Sequence, residues 1–154
     1  MAAVHKISVD FYEESFTLIA LHSTMPDFSI VYAINKVLMS KFARAPKDLE
    51  LSEYKAFPFF EWQDDTQDRY WLLISNESTK KERLIRDGLF QDEPSFAKHH
   101  LVPEYKEVDY FIKIEHDDDI NEALLLKELL TIPRIITAYS VDADVLKSRN
   151  NLIF

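Results

Sequence analysis

Read as apolar and polar positions, the chain changes its period several times. Residues 4–9 alternate weakly and residues 16–21 (FTLIAL) form an apolar run of strand length, which predicts two early strands with Glu13, Glu14 and Ser15 at the turn. After Met25-Pro26-Asp27 the spacing lengthens. Ile30, Ile34, Val37, Leu38 and Phe42 recur three and four residues apart, with Asn35, Lys36, Ser40 and Lys41 between them. That pattern predicts an amphipathic helix ending before Pro46. Residues 49–51 suggest a short edge strand. Residues 56–63 (AFPFFEWQ) and 69–75 (RYWLLIS) predict a hairpin turned at residues 64–68, because aromatic and β-branched side chains suit a pleated surface. Pro58 has no N–H for a ladder, so its arm is expected at an edge or a bulge. Trp62 and Trp71 are expected to face one another or a neighbouring strand.

Residues 76–101 hold no sustained period: a Lys80-Lys81-Glu82-Arg83 cluster is followed by Asp87-Gly88, Pro94 and His99-His100. They are expected to form a surface excursion with room for one helical turn, either a segment that covers a ligand or contacts a partner, or a variable insertion. Beyond it, Val108, Tyr110, Ile112 and Ile114 alternate with Asp109, Phe111, Lys113 and Glu115, the pattern of a strand with one buried face. Asp119 stands three residues before Glu122, as in a capping box, and Ile120, Ala123, Leu124, Lys127 and Leu130 trace a helix closed by Pro133. Residues 134–141 (RIITAYSV) return as a strand, so this third of the chain predicts a β-α-β unit with parallel strands. Asp142 is placed to cap a last short helical piece before the tail, residues 150–154 (NNLIF). The expected fold is a single α+β domain over residues 1–154, a mostly antiparallel sheet with two main helices on one face and the C-terminal β-α-β unit.

Composition narrows the function. At 154 residues, 47% of them hydrophobic, the chain is long enough for one packed core. Its 18 Lys and Arg against 27 Asp and Glu give a net charge of −9, a field that repels phosphate backbones and anionic lipid, so neither nucleic acid nor membrane is an expected partner. There is no cysteine, which excludes disulfides, thiolate metal sites and a Cys nucleophile. Gly88 is the single glycine, so neither standard phosphate-cradling loop can be built. The opening residues lack the basic and apolar regions of a signal peptide and no stretch approaches about 18 apolar residues, which predicts a cytoplasmic protein. In that compartment the Asn76-Glu77-Ser78 sequon carries no glycan.

Few constellations suggest chemistry. Asp117-Asp118-Asp119 beside Glu115 and His116 is the densest acidic cluster, but it lacks the glycine and alternate spacing of a calcium loop and suits the positive end of a helix. The histidines, His5, His22, His99, His100 and His116, form no spacing that brings two imidazoles to one metal, and no serine sits in a nucleophile elbow. Phe57, Phe59, Phe60, Trp62, Tyr70 and Trp71 cluster among acidic rather than basic residues, which fits core packing or a protein-binding face better than base stacking. No catalytic residue, metal ligand or cofactor is assigned.

One stretch is specific. Residues 102–110 read VPEYKEVDY, and this resembles the signature of the IPExxxVDY family of small proteins, with Val102 in place of the first Ile. The similarity extends from FTLIALHS through Asn35-Lys36, the aromatic hairpin and Ile132-Pro133 to the terminal NLIF. The family is named for its pattern, so the resemblance implies no activity. Physically, Pro103 fixes the entry of the chain, while Val108 and Tyr110 are expected to point inward. Glu104 and Asp109 either accept hydrogen bonds from backbone groups or from an arginine such as Arg134, or they bind a ligand or transfer protons. The candidate binding positions are therefore Pro103, Glu104, Asp109 and Tyr110, the Trp62 and Trp71 pair, and the terminal Phe154, whose apolar neighbours predict docking on the chain's own core or on a partner. The leading expectation is a non-catalytic interaction or accessory protein, with a two-fold dimer through a sheet edge or the aromatic hairpin. The alternative is a small-molecule-binding enzyme using carboxylate and histidine acid–base groups.

Overall fold

The computed structural model describes residues 15–84 and 95–154. The strand expected over residues 4–9, most of the turn that follows it and Asp87-Gly88 lie outside the described residues.

The chain runs β1 (Phe16–Ser23), α1 (Asp27–Leu38), β2 (Ala43–Arg44), β3 (Leu49–Ser52), β4 (Lys55–Phe57), β5 (Phe59–Asp64), β6 (Arg69–Ser75), β7 (Glu77–Leu84), β8 (Ser95–His100), β9 (Tyr110–Glu115), α2 (Glu122–Leu129) and β10 (Ile135–Val141). Single 3-10 turns stand at Pro103–Tyr105, Ala143–Val145 and Arg149–Leu152. Six strands form one sheet in the order β10-β1-β9-β6-β5-β2, every neighbouring pair antiparallel. The fold is α+β with a mostly antiparallel sheet. Because β9 and β10 each run antiparallel to β1, they are parallel to one another with β1 between them.

Alternation along the strands builds two cores. On one face Ile19, Leu21, Leu73, Ile112 and Ile114 meet Ile30, Val31 and Ile34 of α1 and Leu125 and Leu129 of α2. On the other, Leu18, Ala20, Leu72, Ile74 and Phe111 meet Leu101, Val102, Val108, Leu146 and Leu152. The central strands are thus covered on both sides, and β9, expected to bury one face, is buried on both. Its cost falls on Lys113, which is fully buried on the second face. Its ammonium bonds Glu115 at 2.9 Å and lies over the rings of Phe16 and Phe154, at 4.9 and 5.2 Å from their centroids.

Several boundaries differ from expectation for local reasons. The first helix stops at Leu38 because Met39 turns left-handed, at φ 55°. Phe42 lies beyond it, its backbone N–H and C=O both held by the Asn35 side chain at 2.9 and 3.1 Å. Asn121, not Asp119, caps α2 by accepting from Leu124 N at 3.0 Å. Pro58 divides the expected arm of residues 56–63, so that β4 pairs with β3 and β5 with β6. The expected excursion of residues 76–101 contains two antiparallel strands instead, with β7 and β8 pairing from Glu77 opposite His100 to Leu84 opposite Ser95.

Candidate functional site

Three places hold the residues singled out by sequence. The first is the turn after β8. Pro103 opens the 3-10 turn Pro103–Tyr105. Glu104 accepts from Ser148 N at 3.1 Å, and Asp109 accepts from Ser23 N at 2.8 Å. Burial works to raise the Glu104 carboxyl, but donors of Ser148 hold it below the usual carboxylate range. Both carboxylates therefore tie backbone together, and Arg134 is not their donor. Tyr110 donates its hydroxyl to Met25 O at 2.6 Å, bracing the start of α1.

The residue that organises this turn is Asn76, which sequence reading passed over as an idle sequon. It is fully buried, donating from Nδ2 to Tyr105 O and Val108 O at 2.9 and 2.8 Å and accepting at Oδ1 from Val102 N at 2.9 Å. Nothing in one sequence separates such an asparagine from a surface one.

Beside the turn lies a hollow of about 290 Å³ lined by Glu77, His100, Lys106, Asp109 and Tyr110 among others. Glu104 is not among its lining residues. Burial, then the charges of Asp27 and Asp109, push the Tyr110 hydroxyl up to about 12 from an ordinary 10. The folded state thus keeps this proton where the unfolded chain loses it. Stability from Tyr110 is complete below pH 10 and is lost as pH rises towards 12. Alkaline unfolding curves should therefore show a fall over that window that is smaller in Tyr110→Phe. At neutral pH the same variant should lose about 1–2 kcal/mol, because Met25 O is left without its donor.

The second place is the tail. Leu152 is fully buried and Phe154 packs edge-on against Phe59, with centroids 5.8 Å apart. Asn151 donates to Leu101 O at 2.9 Å. The terminal aromatic closes its own domain over Lys113.

The third is a groove of about 550 Å³ between the end of α1 and the start of α2. The direct cross-strand pair Trp62 and Trp71 stands in its wall, rings 5.5 Å apart, backed by Phe42. Leu38, Met39, Leu124 and Leu125 supply further apolar lining. Met39 is 81% exposed and Leu124 50%, a cost in apolar surface that a monomer need not carry. The rim is acidic, with Asp119 and Glu128, while Arg69, the one lining cation among the described residues, is bound by Asp118 at 3.0 Å. Arg69 holds the Asp118 carboxyl below its usual range. The indole N–H of Trp71 is buried and has no acceptor among the described residues.

The structure therefore brings Trp62 and Trp71 together and leaves Glu104, Asp109 and Phe154 elsewhere. Among the described residues no three His, Cys, Asp or Glu side chains come together as a metal site, and no helix is long and apolar enough to cross a membrane. Comparison with protein-family models, with curated proteins and with solved structures finds no match.

Proposed function

We propose that this chain is a non-catalytic interaction protein of the cytoplasm, whose groove over Trp62 and Trp71 receives an apolar side chain from a basic segment of a partner protein. The observation that carries this reading is the groove itself, where exposed Met39 and Leu124 flank the tryptophan pair under an acidic rim. A partner's side chain would cover the apolar lining beside the partly exposed Trp62, and its cations would meet Asp119 and Glu128. Two main helices on one sheet face and a β-α-β unit at the C-terminal end are the frame for this opening. Membership of the IPExxxVDY family, suggested by residues 102–110, belongs to the same proposal and assigns that motif to holding the chain together. The bonds from backbone to Glu104 and Asp109 support a structural motif over an acid–base one.

A synthetic amphipathic peptide of leucine and lysine tests the reading against its leucine and glutamate counterpart. Tryptophan fluorescence should report binding of the basic peptide alone, and Leu124→Asp should weaken it at least about ten-fold. Equal binding of both peptides, or an affinity indifferent to Leu124→Asp, rejects the groove as the contact surface.

A further inference from the structure

The two edges of the six-stranded sheet are built differently. At one end β2 is two residues long and contains Arg44, a short and charged edge that resists pairing. At the other, β10 is seven residues long, reads IITAYSV, and has neither a charge nor a proline. Among the described residues β1 is its only ladder partner, so its outer edge presents backbone donors and acceptors without a strand to meet them. One irregular step stands at Ile136, opposite the His22 to Ser23 bond, and residues 137–141 keep regular register. Ile136 itself is 71% exposed, a large apolar side chain on a bare edge.

The occupant is indicated by charge. Arg134 and Asp142, both exposed, bracket the uncharged strand at its start and its end. Antiparallel pairing of the strand with a copy of itself brings each start to the other's end, and so places Arg134 beside Asp142 of the second copy, twice. Parallel pairing would set like charges together. Elsewhere a net charge of −9 on each copy opposes self-association, which leaves this neutral strand as the place where copies can approach.

We propose that β10 pairs with β10 of a second copy, antiparallel about a two-fold axis at Ala138, joining two six-stranded sheets into one. Thr137 then faces Tyr139 of the second copy, and Ile136 is covered at the seam. This surface is separate from the tryptophan groove and stands whether or not the groove binds a partner.

Light scattering and sedimentation of the full chain over a range of concentrations test it. The wild type should be a dimer. Ile136→Lys puts a cation on the edge at an exposed position, and Arg134→Glu sets two carboxylates against each other at both ends. Each should raise the dimer dissociation constant at least about ten-fold while leaving the unfolding temperature of the monomer nearly unchanged. The double variant Arg134→Glu with Asp142→Arg restores opposite charges and should restore the dimer. A wild type that stays monomeric at the highest concentration reached overturns the proposal. So does a dimer indifferent to Ile136→Lys and Arg134→Glu, or one that the double variant fails to recover.

Discussion

Replacing Asn76 by alanine should lower the stability of the fold by roughly 2–6 kcal/mol, as two buried backbone groups lose their partner at about 1–3 kcal/mol each and a third, part-buried, loses its own. The groups are Tyr105 O, Val108 O and Val102 N, all in the turn that joins β8 to β9. Water cannot easily replace the amide, because Asn76 is wholly enclosed and its own backbone bonds Asp109 O and Leu101 N. Aspartate at this position would keep the acceptor for Val102 N but set a carboxylate oxygen against two carbonyls, and should be no better. Thermal unfolding should shift down by roughly 10 °C or more for a domain of this size. Ser75→Ala next to it removes only a long, exposed bond of 3.4 Å to Glu77 O and should change stability by less than about 0.5 kcal/mol. A small loss in Asn76→Ala would mean that the turn holds itself without the asparagine.

Removing residues 152–154 should cost about 4 kcal/mol. Leu152 is fully buried within the second core, and emptying such a leucine site alone costs roughly 2–5 kcal/mol. Phe154 adds its contact with Phe59 and its cover over Lys113, offset by the entropy regained when the terminus is freed. The truncated chain should unfold at lower temperature and lower denaturant concentration, with its association state unchanged. Leu152→Ala should reproduce most of the loss. Unchanged stability in both variants would show that the tail does not close the domain.

Elements with a clean period were legible from sequence. Residues 16–21 and 69–75 stand as β1 and β6, the alternating residues 108–115 contain β9, and the three- and four-residue spacing of Ile30 and Ile34 marks α1. Trp62 and Trp71, expected to face one another or a neighbouring strand, face one another across β5 and β6. Strand β7 was hidden because its sequence, ESTKKERL, is charged and mostly exposed, so no buried face writes a period into it. The charge of Lys113 disguised a second buried face, since a lysine is ordinarily a mark of solvent. The tryptophan groove was half legible: its aromatic wall came from one hairpin, but Met39, Leu124 and Asp119 reach it from two helix ends brought together only by the fold.

The most direct test of the interaction reading uses the two tryptophans, which give two indole N–H signals in a nitrogen-15 labelled sample. On titration with the leucine–lysine peptide, the Trp62 signal should move with the side chain that enters beside it, and the Trp71 signal should shift with it through the paired rings. Both should stay still in Leu124→Asp. Indole signals that do not move at saturating peptide, or shifts confined to the opposite sheet face around Lys113 and Phe154, would contradict the assignment of the groove as the contact surface.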